Sequence, residues 1–242
     1  MCVAFLFCLA SCNNATENFE KEKIVAVEYA SGNEKASEAY IDRGYTRVTY
    51  NSGSDVVLAV ENGKADYGIL DELELSSYIS YQRNIKKKEQ CEYSIDYCVY
   101  FSGEGELLQA SFNEAISHLR KDGILDEIQN AHLNGKSYFV EESNNENGSI
   151  TMLCDPSFDK RVFTDTNGNV AGLDVDIVKA ICSFLGYDLE IEIADFDELF
   201  VKLQDGEGDF IMSAYEVNDE RAEYFLLSDK YYTLNYYLIE KE

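Results

Sequence analysis

Asp165-Thr-Asn-Gly-Asn-Val-Ala-Gly-Leu-Asp-Val-Asp-Ile177 is the stretch that decides the fold, because it joins a turn to the beginning of a helix. Thr164 to Gly168 predicts the turn, and Leu173 to Leu185 predicts an amphipathic helix that Gly186 ends. The β-rich run Leu189 to Ala194 then predicts a strand. Helix and strand therefore alternate here, as they do in an α/β fold.

The same alternation occupies the first half of the chain. It predicts strands at Ile24–Tyr29, Arg47–Tyr50 and Ala65–Leu70, and helices at Asn33–Arg43 and from Asp55 to Asn62. Further along, Ser111 and Glu114 have the spacing of a capping box, which predicts that a helix begins there. The fold class expected from these patterns is α/β.

One short pattern occurs in both halves. Asn62-Gly63-Lys-Ala-Asp66 and Asp205-Gly206-Glu-Gly-Asp209 each combine a helix end, a glycine and an aspartate that leads into a strand. Two lobes of similar construction explain this echo, and so does a generic turn from helix to strand.

Charge limits the classes of partner. The 242 residues include 46 acidic and 20 basic side chains, for a net charge of -26. This field repels phosphate backbones and anionic headgroups, so nucleic acid and electrostatic membrane docking are not expected. Cationic ligands remain compatible with it.

The first residues have the pattern of a targeting segment. The apolar run Cys2–Leu9 is too short to span a bilayer and is typical of a signal peptide. Leu9-Ala-Ser-Cys12 is similar to the lipobox of bacterial lipoproteins, in which the cysteine is acylated. We therefore expect a signal peptide at residues 1–12, lipidation of Cys12, a polar tether at 13–23, and attachment to the extracellular face of the cell membrane.

The cysteines and histidines do not predict a metal site. Cys91 and Cys98 are seven residues apart, a spacing that leaves pairing across a strand or loop open. His118 and His132 lie on a helical stretch without neighbouring ligand residues, so we expect surface or packing roles. No metal, cofactor or catalytic residue is predicted.

The second half, 149–242, resembles the first half of the family-3 extracellular solute-binding proteins of bacteria. The resemblance rests on the opening stretch and on four later motifs in the same order. These are Phe196-Asp-Glu-Leu-Phe200, Gly206-x-x-Asp209, Asn218-Asp-Glu-Arg221 and Ser228-Asp-Lys-Tyr-Tyr232.

The first half resembles the remainder of that family. The matching residues are Val25-Ala-Val-Glu-Tyr-Ala-Ser31-Gly32, Asn62-Gly63-Lys-Ala-Asp66, Leu70-Asp71-Glu72 and the helical stretch Leu107–Ile128. The resemblance implies a two-lobed, hinged, type II periplasmic-binding-protein fold in circularly permuted order. A truncated tandem array is the alternative.

The permuted order implies a division of the mature chain. Residues 24–100 would form lobe 2, residues 101–140 would return to lobe 1, and residues 149–242 would complete lobe 1. The segment 141–148 contains no apolar residue and would be the linker that joins the family's usual termini.

The resemblance also implies the ligand-binding residues. Arg221 matches the arginine that binds an α-carboxylate, and Asp71 matches the acid that binds the α-ammonium group. Phe158 and Phe196 match two aromatic walls of the family's cleft. Ser213 matches a contact beside the arginine, and Asp155 matches a contact to the ligand side chain. Ser31 and Gly32 match the turn that donates amides.

Two departures from the family pattern bear on the ligand. Glu216 replaces the usual Ser or Thr before the arginine, and Lys160-Arg161 replaces a proline-aromatic pair. With Asp71, Asp155 and Glu216 expected around Arg221, the ligand predicted is a cationic amino acid or a polar amine.

The implied function is that of a monomeric substrate-binding lipoprotein, which delivers an amino acid or similar polar solute to the membrane permease of an ABC transporter. A ligand-sensing module of a signalling system is the alternative. An enzyme derived from this fold is less expected, because the sequence contains no nucleophile–base pair, metal cluster or phosphate loop.

Overall fold

A computed structural model describes residues 22–242 except 142, 144, 145 and 159. The predicted signal peptide, Cys12 and all but the last two residues of the predicted tether therefore lie outside the described residues. Two five-stranded sheets with associated helices form the two lobes of the α/β fold. No helix in this described part of the chain is long and apolar enough to cross a membrane.

The first sheet is mixed. Its strands are β1 (Ile24–Glu28), β2 (Thr46–Tyr50), β3 (Tyr67–Asp71), β4 (Ile85–Tyr97) and β13 (Tyr232–Lys241), in the spatial order β2-β1-β3-β13-β4. β1 runs parallel to β2 and β3, and β13 runs antiparallel to β3 and β4. The helices of this lobe are α1 (Gly32–Ile41), α2 (Gly53–Glu61) and α3 (Glu72–Ser80).

The second sheet is also mixed. Its strands are β5 (Tyr100–Phe101), β6 (Ser149–Cys154), β10 (Asp188–Ile193), β11 (Phe210–Ile211) and β12 (Leu226–Leu227), in the order β10-β6-β11-β5-β12. β6 runs parallel to β10 and β11, whereas β5 runs antiparallel to β11 and β12. A small antiparallel sheet beside it contains β7 (Ser157–Phe158), β8 (Val162–Thr164) and β9 (Val170–Ala171). The helices are α4 (Glu106–Lys121), α5 (Ile124–Leu133), α6 (Leu173–Leu185), α7 (Leu199–Gln204) and α8 (Asp219–Ala222).

The chain crosses between the sheets twice, after Tyr97 and again before Tyr232. The two crossings lie side by side, because the amide of Tyr231 donates to the carbonyl of Tyr97 at 3.0 Å. The sheets divide the chain differently from the expected ranges at two places. β5 already belongs to the second sheet, and β13 belongs to the first because it completes the pairing between β3 and β4.

The echoed pattern has the same structural role in both lobes. Gly63 and Gly206 follow α2 and α7 with positive φ values of 68° and 74°. The carboxylate of Asp66 then accepts from the amide of Ile24 at 3.0 Å, and that of Asp209 accepts from the amide of Thr151 at 2.6 Å. Asp66 thus fixes the start of β3 against β1, and Asp209 fixes the start of β11 against β6.

The capping box predicted at Ser111 and Glu114 is wrong. Helix α4 already begins at Glu106, and the Ser111 hydroxyl donates to the carbonyl of Leu107 at 3.0 Å inside the helix. Phe112, Ala115, Ile116 and Leu119 are buried, so the apolar face was identified although the helix start was not.

Cys91 and Cys98 are free thiols. Cys91 lies inside the extended strand β4, and Cys98 lies one residue beyond its end. Seven extended residues separate the two by about 20 Å, far more than a disulfide spans. Cys91 packs in the core beside Tyr40, whereas Cys98 belongs to a different cluster of buried residues that contains Tyr100.

Candidate ligand-binding cleft

A cavity of about 250 Å³ lies where the two lobes face each other. We call it the central cavity. The first sheet and its helices supply most of the wall, and the turn between β7 and β8 supplies the rest. The lining residues are Glu28, Ser31, Gly32, Asn33, Asp71, Leu73, Glu74, Lys160, Arg161, Leu234 and Tyr236.

Three carboxylates line this cavity, and each has a raised pKa. Burial raises the pKa of Glu74 to about 8, assisted by the charges of Asp71 and Glu28. Burial also raises the pKa of Asp71, and burial followed by the charge of Asp71 raises that of Glu28. Carboxylates that repel one another in a dry site favour a bound cation.

Two cations extend into the same cavity from the lobe that contains the second sheet. The ammonium group of Lys160 donates to the carbonyl of Leu73 at 2.8 Å, which joins the two lobes, and its charge offsets part of the rise that burial causes in the pKa of Asp71 and Glu74. Arg161 is buried and pairs with Asp174 of α6 through Nη2 at 2.7 Å and Nε at 3.2 Å. The cavity is therefore lined by both signs of charge.

Three of the predicted ligand-binding residues lie in the central cavity: Asp71, Ser31 and Gly32. Two of these side chains also have local roles. The carboxylate of Asp71 caps α3 by accepting from the amide of Glu74 at 2.8 Å. The Ser31 hydroxyl caps α1 by accepting from the amide of Asn33 at 3.2 Å.

Arg221 and the two predicted aromatic walls lie together outside the central cavity. Phe196 stacks on Tyr215 with ring centroids 4.4 Å apart, and Phe158 lies 5.5 Å from Phe196. The guanidinium carbon of Arg221 is 4.9 Å from the centroid of Tyr215 and 5.0 Å from that of Phe200. This cation–π contact holds Arg221 against the lobe that contains the second sheet.

Ser213 and Asp155 contact each other at the ends of neighbouring strands. The buried Ser213 hydroxyl accepts from the amide of Asp155 at 2.9 Å and donates to its carbonyl at 3.1 Å. The backbone of Glu216 forms an isolated antiparallel β-bridge with that of Tyr97. Glu216 also lines a second depression, together with Ser31 and Gly32. Of the acids expected around Arg221, Asp71 lines the central cavity, which Arg221 does not line, whereas Asp155 and Arg221 both act on the pKa of Tyr215.

Several cavity residues were not identified as ligand contacts from the sequence. Glu28 lies within the quoted family turn, and Lys160-Arg161 was noted only as a departure from the family pattern. Glu74 occupies the first turn of α3, the helix that Asp71 caps. Tyr236 lies on β13, a strand for which no expectation was made.

Comparison with known proteins supports the resemblance seen in the sequence. Residues 150–242 match the model of the family described as "Bacterial extracellular solute-binding proteins, family 3". The arginine-binding extracellular protein ArtP of Bacillus subtilis is 31% identical over 101 residues, which are 41% of this chain and 40% of ArtP. The chain thus matches well under two thirds of that relative's length.

Two further relatives cover similarly short stretches. The membrane-bound lytic murein transglycosylase F of Desulfosudis oleivorans is 34% identical over 86 residues, which are 32% of this chain and 19% of that enzyme. Among solved structures, the arginine-bound form of domain 1 from TmArgBP is 28% identical and has a TM-score of 0.34; the match covers 39% of this chain and 81% of that one.

The family match covers residues 150–242, the half of the chain that contains the opening stretch and the four later motifs. The two-sheet α/β architecture agrees with the fold that those motifs imply. Residues 150–242 of this chain are therefore similar to family 3 of the bacterial extracellular solute-binding proteins.

Proposed function

We propose that this protein captures a cationic amino acid or a similar polar amine between its two lobes. The observation that carries the proposal is the convergence of Glu28, Asp71 and Glu74 in the central cavity, all with raised pKa values. A ligand cation at this position offsets the mutual repulsion of the carboxylates and the cost of their burial. The name of the relative ArtP, an arginine-binding protein, agrees with this class of ligand.

A thermal-shift screen of the full chain against amino acids and polyamines tests this function. A ligand that binds only the folded state and is present at a hundred times its Kd stabilises by about 2.7 kcal/mol. For a chain of this size we expect the Tm to rise by about 5–10 °C with arginine, lysine or histidine. A rise with glutamate and none with basic ligands would contradict the proposal.

We also propose that the protein is a lipoprotein anchored through Cys12, and that it delivers its ligand to an ABC permease on the outer side of the cell membrane. The lipobox-like order Leu9-Ala-Ser-Cys12 supports the anchor. The match of residues 150–242 to a family of solute-binding proteins supports a transport role rather than a catalytic one. Metabolic labelling with a fatty acid tests the anchor, and we expect Cys12→Ala to remove the label.

We further propose that the two halves are circularly permuted. The sheet register supports this order, because Ala26 of β1 and Ile239 of β13 both pair with Gly68 of the strand between them. β1 is parallel and β13 is antiparallel to that strand. The last residues of β13 and the first residues of β1 therefore lie at the same end of the sheet, two strand spacings or about 10 Å apart. A short loop spans this gap.

A rearranged chain tests the permutation. Its halves are exchanged, so that Glu242 leads through a short loop into Ile24 and the chain opens between 141 and 148. We expect this chain to be monomeric and to bind the same ligand with a similar Kd. A truncated tandem array, in which the halves belong to different domains, predicts that both chain orders fail to form a complete ligand site.

A further inference from the structure

Two buried polar atoms in the residues of the central cavity have no hydrogen-bond partner among the described residues. One is Nη1 of Arg161, a donor, and the other is Oδ1 of Asn33, an acceptor. Arg161 is 5% exposed and Asn33 is 3% exposed. Because buried polar atoms are nearly always hydrogen-bonded, this pair indicates that the cavity is built to receive a polar molecule.

The rest of the Arg161 guanidinium is firmly held. Nε and Nη2 donate to Asp174, and Nη2 also donates to the hydroxyl of Tyr231 at 3.1 Å. The plane packs on the ring of Tyr97, with the guanidinium carbon 3.6 Å from the ring centroid. Among the described residues Nη1 has no partner, and the contacts of Nε, Nη2 and the guanidinium plane fix its position in advance of any ligand.

The orientation of the Asn33 amide is fixed as well. Its side chain hydrogen-bonds the carboxylate of Glu74, so the amide nitrogen is the atom that faces Glu74. The oxygen is therefore left to accept a hydrogen bond from elsewhere. An ammonium group placed beside Oδ1 would also lie close to the acidic residues that line the cavity.

We propose that Arg161 and Asn33 bind the head group of an α-amino acid. Nη1 of Arg161 donates to the ligand carboxylate, and Oδ1 of Asn33 accepts from the ligand ammonium group beside Asp71 and Glu74. This assignment rests on the proposed function, since it requires a ligand in the central cavity. It narrows the ligand class from amines in general to amino acids, and it transfers the carboxylate contact from Arg221 to Arg161.

The charges around the cavity favour a basic side chain on that amino acid. Asp174 already offsets the charge of Arg161, and Lys160 is the other cation that lines the cavity. The cavity also contains three carboxylates, so acidic groups outnumber the cations that remain unpaired. A ligand with one negative and two positive charges therefore neutralises the site better than a neutral zwitterion does. Lysine, arginine and protonated histidine have this arrangement.

Matched ligand pairs test the inference directly. The pairs are arginine with agmatine, lysine with cadaverine, and histidine with histamine, which differ only in the α-carboxylate. Titration calorimetry on the full wild-type chain is expected to give about 10- to 100-fold tighter binding of the amino acid, the effect of a charge-assisted hydrogen bond. Equal affinity within every pair would overturn the inference.

Variants identify the residue that reads the carboxylate. We expect Arg161→Lys to reduce the preference to about twofold, because one ammonium group cannot keep the Asp174 contacts and also reach the ligand. The surface variant Arg43→Lys is the matched control and should keep the wild-type ratio. If Arg221→Lys abolishes the preference and Arg161→Lys retains it, the carboxylate contact belongs to Arg221 and the inference is wrong.

Circular dichroism shows whether Arg161→Lys folds, and a second variant provides a test if it does not. Asn33→Ala removes the acceptor for the ammonium group that both members of a pair share. We therefore expect it to weaken amino acid and amine by similar factors of about 10. Unchanged affinity for both would overturn the role of Asn33. If neither member of any pair binds the wild-type protein, the proposed function itself fails together with this inference.

Discussion

Arg161 and Asp174 form a buried ion pair that ties the turn before β8 to the first turn of α6, with Nη2 and Oδ1 2.7 Å apart. The second carboxylate oxygen of Asp174 accepts from the hydroxyl of Tyr231 and from the amide of Ala214, both at 2.9 Å. One aspartate thus links the cavity wall at Arg161, the backbone at Ala214 and the chain crossing at Tyr231. We expect this network to position the cleft.

Asp174→Asn is expected to destabilise the protein strongly. The substitution leaves the Arg161 charge buried without its counter-ion, which typically costs about 3–5 kcal/mol. Urea denaturation followed by circular dichroism measures the change in the free energy of unfolding. Asp205→Asn, at an exposed helix end, is the control and should change it by less than about 0.5 kcal/mol. A loss below about 1 kcal/mol for Asp174→Asn would show that the pair is not important for stability.

Glu74 gives the unliganded protein a specific pH dependence. Burial raises its pKa from 4.5 to about 8. The folded protein therefore holds this proton to a higher pH than the unfolded chain does, so stability falls as the pH rises from about 4.5 to about 8. We expect Glu74→Gln to remove part of this decline in the Tm, and the exposed control Glu114→Gln to leave it unchanged. Parallel profiles for wild type and Glu74→Gln would contradict the raised pKa.

Ligand uptake is expected to release protons below pH 8. A cation beside Glu74 and Asp71 favours their charged forms and so lowers their pKa values. The affinity for a basic amino acid should therefore increase as the pH rises from 6 to about 8. Calorimetry in two buffers of different ionisation enthalpy counts the released protons, and a count of zero at pH 7 would argue against binding at these carboxylates.

Gly32→Ala tests how closely the cavity wall is packed. A Cβ atom at Gly32 would overlap the hydroxyl of Tyr236, a buried residue that lines the same cavity. We expect a loss of about 1–3 kcal/mol in unfolding free energy and weaker ligand binding, since Tyr236 must move. Gly103→Ala is the control, because nothing lies within 4 Å of its added Cβ. Equal stability and affinity for the two variants would contradict this packing.

Much of the fold could be predicted from local signals. The helix Leu173–Leu185 has the predicted bounds, because an apolar face and a terminal glycine with φ of 73° specify it locally. Strand β4 was missed because Lys86, Lys87 and Lys88 give it no apolar alternation; all three are exposed at the sheet edge. Only pairing with β13 makes this segment a strand.

The candidate site was harder to predict, since it depends on tertiary pairing. Asp71, Ser31 and Gly32 follow from motifs at the ends of strands and were placed in the cavity by resemblance. Arg161 was not identified as a ligand contact, because a charged residue is buried only where a distant partner such as Asp174 compensates it. The sequence spacing of Arg161 and Asp174 does not predict that they form an ion pair.

The most direct test of the account is a crystal structure of the protein grown with L-arginine. We predict that the ligand occupies the central cavity, with its ammonium group bonded to Asp71 and Asn33 and its carboxylate on Nη1 of Arg161. A ligand seated instead against Phe196 and Arg221, or an arginine-free cavity at a saturating concentration, would contradict it.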